Sequence, residues 1–128
     1  MSHRILIVDD EPNIVISLEY LMKKEGFQVA VATDGETALQ LASEFVPDLI
    51  LLDVMMPKKS GFEVCQALRA DPALVATKII MLTAKGRESE VAKGLALGAD
   101  VYITKPFSTK DLVLQIKSLL GSVPTRLE

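Results

Sequence analysis

Five short apolar runs, each followed by a stretch of helical period, constrain this chain more than any other feature. The runs are RILIV (Arg4–Val8), QVAVA (Gln28–Ala32), DLILL (Asp48–Leu52), KIIML (Lys78–Leu82) and VYIT (Val101–Thr104). Near-continuous runs of this kind suit strands buried on both faces, as parallel strands are. The segments between them carry apolar residues at helical spacing: Ile14, Leu18, Leu21 and Met22; Ala38, Leu41, Ala42 and Phe45; Phe62, Cys65 and Leu68; Leu112, Ile116, Leu119 and Leu120. The stretch 87–97 is the weakest, with Val91, Leu95 and an internal Gly94. Gly26 and Gly98 stand where a helix should stop before the next strand. Thr33 with Glu36, and Ser60 with Glu63, have capping-box spacing at helix starts. Strand and helix alternating in this way predict an α/β domain: a parallel sheet, helices on both faces and right-handed crossovers.

Composition fits that reading. The 128 residues suit one domain with one core, and 49% hydrophobic with 24% charged residues is ordinary for a globular protein. The longest apolar runs are too short to cross a bilayer, and no signal-peptide pattern opens the chain. The single cysteine, Cys65, excludes an internal disulfide, fits a reducing cytoplasm and reads as a small hydrophobe on a helix. A net charge of −3 gives no basic nucleic-acid footprint. The domain is expected to span residues 1–121, with 122–128 as a polar tail or the start of a linker. Both a stand-alone domain and one followed by an output domain are compatible with that tail.

Open α/β sheets bind ligands beyond the carboxyl ends of their strands. The residues there form a set. The first strand ends at Asp9 and Asp10, the third at Asp53, the fourth at Thr83, and the fifth is followed by Lys105. Thr33 and Asp34, after the second, look like ordinary helix capping. The third case is the most telling, because PDLILLDVMMP ends its most apolar run in a carboxylate. Three neighbouring carboxylates repel one another unless something positive joins them. A hard divalent cation with oxygen ligands meets that need, and so few carboxylates suit Mg²⁺. Lys105 and Thr83 then offer a positive charge and a hydroxyl donor to an anion beside the metal. Singly, each residue has a plainer reading. Asp9 and Asp10 would favour the start of the first helix, Asp53 a turn, Thr83 a strand and Lys105 a solvated loop. Their joint placement at four strand ends is what points to a site.

ILIVDDEP, PDLILLDVMMPKKSGFE, IIMLTAKG and GADVYITKPF together resemble the response regulator receiver domain of two-component signalling, over about Arg4–Leu120. The resemblance implies a flavodoxin-like (βα)5 doubly wound sheet of strand order 2-1-3-4-5. It implies that Asp53 is the phospho-acceptor. Asp10 and Asp53 would bind Mg²⁺ directly together with the backbone carbonyl of Met55, and Asp9 would act mainly through water. Thr83 and Lys105 would hold the phosphoryl group, and Tyr102 would be the aromatic switch residue on the fifth strand. The implied donor is a phosphohistidine on a sensor histidine kinase or a histidine phosphotransfer protein. The implied output is a change in the face formed by the fourth helix, fifth strand and fifth helix. The resemblance also predicts a cis Lys105–Pro106 peptide, which turns the loop sharply while Lys105 points back over the rim. The lone His3, ahead of the first strand, is expected to be exposed and not to be the phosphodonor.

Other occupants of such a sheet fit less well. A flavin-mononucleotide protein needs a hydroxyl- and glycine-rich first loop, where DDEPN is acidic. The common aspartate phosphatase places a second aspartate two residues on, where Met55 stands, and carries a cap domain for which 128 residues leave no room. A pseudo-receiver that only binds partners usually lacks part of the site, and no position is missing here. Met55 and Lys85, each two residues beyond a rim residue, offer no base toward water, so a phosphorylated form is expected to be long-lived. Val91, Val101 and Gln115 stand where receivers of winged-helix regulators often carry dimer-face charges, which leaves a more apolar face.

Overall fold

The computed structural model describes residues 3–56, 59–83 and 88–121. Strands β1 (Arg4–Val8), β2 (Gln28–Ala32), β3 (Leu49–Asp53), β4 (Lys78–Thr83) and β5 (Val101–Thr104) alternate with helices α1 (Pro12–Lys24), α2 (Gly35–Phe45), α3 (Gly61–Ala70), α4 (Glu88–Ala96) and α5 (Thr109–Leu120). A 3-10 turn, Pro72–Leu74, follows α3. Every strand pairing is parallel, and the order is β2-β1-β3-β4-β5. The expected doubly wound, flavodoxin-like sheet is what the chain forms. Among the described residues, no helix is long and apolar enough to cross a membrane.

The sheet divides the core into two layers because successive residues of a strand point to opposite faces. Leu6, Val8, Ile50, Leu52, Ile79 and Met81 pack with Ala38 and Ala42 of α2 and with Val64, Cys65 and Leu68 of α3. Their neighbours Ile5, Ile7, Leu49, Leu51, Ile80 and Leu82 pack with Leu18 and Met22 of α1 and Leu112, Ile116 and Leu120 of α5. The central strands β1, β3 and β4 are thus buried on both faces over nearly their whole length. The edge strands β2 and β5 are only half-buried, which the apolar runs alone did not distinguish.

Three local expectations are corrected. Helix α2 is capped by Asp34, not Thr33: its Oδ1 accepts from the Thr37 backbone N–H at 2.8 Å and its Oδ2 from the Thr37 hydroxyl at 3.1 Å. A carboxylate at that position meets both the orphan N–H and the helix dipole, so the helix starts one residue later than the Thr33–Glu36 spacing implied. His3 is half-buried, with its carbonyl taken by the Gln28 N–H at 3.0 Å. Leu95 of α4 is 45% exposed, and it is Gly94 that faces the sheet. The Ser60–Glu63 capping box forms as the spacing predicted, and Gly26 and Gly98 adopt φ of +90° and +112° at the ends of α1 and α4. The tail 122–128 and Lys85 lie outside the described residues.

Candidate functional site

The carboxyl ends of β1, β3 and β4 bring the rim residues together. Asp9 directly follows β1, and its side chain is 1% exposed. One of its oxygens, Oδ1, accepts the Glu11 backbone N–H at 2.9 Å, which fixes the turn into α1. Pro12 opens that helix at a position where the missing N–H costs nothing. Asp10 is exposed beside it. Asp53 ends β3 in a strand that is buried from its first residue to its last. Gly61, the first residue of α3, rests on the Asp53 and Val54 backbone, and its N–H donates to the Val54 carbonyl at 2.8 Å. A Cβ at Gly61 would collide with the Asp53 carbonyl oxygen, so glycine is required by close approach.

Carboxylate oxygens of Asp9, Asp10 and Asp53 lie within 4.8 Å of one another. The Lys105 ammonium closes the group, 3.0 Å from Asp9 Oδ2, 3.2 Å from Glu11 Oε1 and 3.4 Å from Asp53 Oδ1. It reaches them from the loop after β5, whose Lys105–Pro106 peptide is cis, as expected. The Lys105 N–H donates to the Thr83 carbonyl at 2.6 Å, which ties this loop to the end of β4. Thr83 itself is buried. Tyr102 sits one strand over, half-buried, its ring against the α4 backbone at Gly94. Met55, two residues beyond Asp53, is 62% exposed at the rim.

The electrostatics follow from this crowding. Burial, reinforced by the Asp9 charge, pushes the Asp53 carboxyl up from 3.8 to about 6, although Lys105 pulls the other way. For Lys105, burial works to lower the pKa, but its hydrogen bond to Asp9 and the charges of Asp53 and Asp9 outweigh it and raise the value. One ammonium among these acids leaves the site short of positive charge. Hard oxygen donors on three carboxylates, whose oxygens lie this close together, are a donor set that fits Mg²⁺.

Each rim residue singled out in the sequence therefore lies at the carboxyl edge of the sheet, and Tyr102 stands back from it against α4. Glu11 was not anticipated as a partner of Lys105. The available signal was the third consecutive acid of DDEP, masked by its ordinary role at a helix start.

A doubly wound sheet with this acidic, lysine-closed rim defines a class of signalling domain, and the chain belongs to it. The family model for the response regulator receiver domain of two-component systems matches residues 5–117. Among individual proteins, the chain is 48% identical over 120 residues to the alkaline phosphatase synthesis transcriptional regulatory protein PhoP of Bacillus subtilis (strain 168). That match covers 94% of this chain and 49% of the relative, so the chain spans about half the relative's length. The signal receiver domain of a signal transduction histidine kinase from Syntrophus aciditrophicus superposes with a TM-score of 0.89 at 35% identity, covering 99% of this chain and 96% of that one. The chemotaxis protein CheY4 of Vibrio cholerae does so with a TM-score of 0.89 at 32% identity, covering 94% of this chain and all of that one.

Proposed function

We propose that this domain accepts a phosphoryl group on Asp53 from a phosphohistidine, carried by a sensor histidine kinase or a histidine phosphotransfer protein in the cytoplasm. The observation that carries the reading is the Lys105 ammonium 3.4 Å from Asp53 Oδ1, in a rim where Asp9 and Asp10 stand close enough to share a cation with that carboxylate. Asp10, Asp53 and the Met55 carbonyl would hold Mg²⁺, with Asp9 acting mainly through water. When bound, the ion supplies positive charge to the phosphoryl oxygens.

The chain's own residues do the rest. The apolar core of β3 fixes Asp53, so a carboxylate oxygen is aimed outward and needs no reorganisation to attack. An oxygen–phosphorus bond forms as the donor's phosphorus–nitrogen bond breaks, and the imidazole leaves with the electron pair. Lys105 shifts from carboxylate to phosphoryl oxygen, and the Thr83 hydroxyl donates to a second oxygen. The new charge draws Thr83 toward Asp53, and Tyr102 moves into the space this opens. The face of α4, β5 and α5 then changes toward a partner or an output domain. Met55, with no group that holds water, keeps hydrolysis of the acyl phosphate slow. Residues 1–121 would form the whole receiver, with 122–128 as a tail or linker.

The test is intact-mass analysis after incubation with Mg²⁺ and a small acyl or amido phosphate. Wild type should gain one phosphoryl group and Asp53→Asn none. An undiminished adduct in the variant would place the acceptor elsewhere.

A further inference from the structure

Lys105 is held by more carboxylates than the proposed chemistry needs. Asp9 and Asp53 belong to the acidic triad, but Glu11 does not. Its Oε1 lies 3.2 Å from Nζ, with 61% of the side chain exposed, while Lys105 is only 12% exposed. The solvent-exposed Glu11 carboxylate therefore competes with any incoming phosphoryl group for the same ammonium. Its backbone is fixed independently, because its N–H is held by Asp9 Oδ1 at 2.9 Å and Pro12 follows it.

From this geometry we infer that Glu11 is a positioning residue: it is the resting counter-ion of Lys105, and the phosphoryl group must displace it. The inference rests on the reading of Asp53 as acceptor. Displacement opposes binding in two ways. The donor must break an ion pair at the mouth, and it must bring its own negative charges up to a carboxylate that stays nearby. Both act when the donor binds, before any bond to phosphorus changes. Their removal should tighten donor binding more than it alters the limiting rate. Coulombic energies between partly solvated charges a few ångströms apart correspond to an effect of roughly three- to tenfold. Salt weakens an exposed pair of this kind, so the effect should shrink as ionic strength rises.

The experiment measures initial rates of Asp53 phosphorylation against acetyl phosphate concentration, at saturating Mg²⁺, for wild type, Glu11→Gln and Glu11→Asp. Glu11→Gln should lower the half-saturating concentration by roughly three- to tenfold, with a smaller change in limiting rate and a difference that narrows in high salt. Glu11→Asp keeps the charge but is one methylene too short to reach Nζ, so it should lose the ion-pair share of the effect and fall between wild type and Glu11→Gln. An unchanged or higher half-saturating concentration in Glu11→Gln would overturn the inference. So would a Glu11→Asp variant indistinguishable from wild type, which would assign the effect to diffuse charge and not to the pair. Wild type that is phosphorylated on Asp53 while both variants match it would sink this inference alone. Wild type with no Asp53 adduct would bring down the acceptor reading as well.

Discussion

At the scale of single residues, the site is built on an unfavourable choice. Asp53 is 4% exposed at the end of an apolar strand, and its neighbours Asp9 and Asp10 are also acids. Burial first, and the Asp9 charge second, raise its carboxyl from 3.8 to about 6. Without divalent ions, the stability this group contributes is fully present below its unfolded value of 3.8 and is lost as pH rises through about 6. Above that range the ionised carboxylate opposes folding. Asp53→Asn, which stays neutral, should therefore be more stable than wild type well above pH 6, by on the order of 1–3 kcal/mol. The difference should close as pH falls toward 3.8, and Mg²⁺ should stabilise wild type far more than the variant. Urea unfolding across this pH range in chelator and in Mg²⁺ checks all three. Equal stability at high pH in chelator would mean that Asp53 is not under strain from its surroundings. These rim residues were legible in the sequence because each ends a strand, a position that the alternation of runs fixes to within a residue. Glu11 was not, since side-chain reach across a loop leaves no periodic trace.

At the scale of elements, α4 departs most from its sequence. Its apolar spacing suggested a buried face built on Val91 and Leu95, yet Leu95 is exposed and Gly94 is buried. A Cβ built at Gly94 would lie 2.9 Å from Met81 Sδ and 3.0 Å from Tyr102 Cδ2. The helix thus sits on the tyrosine ring through bare backbone, an arrangement hydrophobic periodicity cannot register because glycine carries no apolar side chain. Ala in a helix interior is normally better than Gly by about 1 kcal/mol. Overpacking a tight contact costs about 1–3 kcal/mol. Met81 is fully buried and has little room to yield, so the second effect should win. Gly94→Ala is expected to destabilise the protein by ~1 kcal/mol in denaturant unfolding and to change the near-ultraviolet signal of Tyr102. A variant as stable as wild type, with an unchanged tyrosine signal, would show that α4 yields freely. The same helix is bridged to α3 by Lys93, whose ammonium stands 4.6 Å from the centre of the Phe62 ring. Any motion of α4 must keep or break that contact.

At the scale of the whole molecule, the fold and the site have one cause. Parallel strands with right-handed crossovers bring every strand's carboxyl end to the same edge, so residues 9, 53, 83 and 105 become neighbours whatever their separation in the chain. That is why the succession of runs was enough to foresee the α/β architecture, while the 2-1-3-4-5 order rested on resemblance to a family. Local endings were less legible. Val46 closes α2 in a left-handed conformation (φ 47°) without glycine, immediately before Pro47, which excludes the ordinary helical region for the residue ahead of it. The central claim is that this shared edge makes Asp53 the phosphoryl acceptor. Borohydride cleaves an aspartyl phosphate reductively and leaves homoserine in its place. Peptide mapping of the phosphorylated, borohydride-treated protein should therefore find homoserine at position 53 and nowhere else. An unmodified Asp53, or homoserine at Asp9 or Asp10, would contradict it.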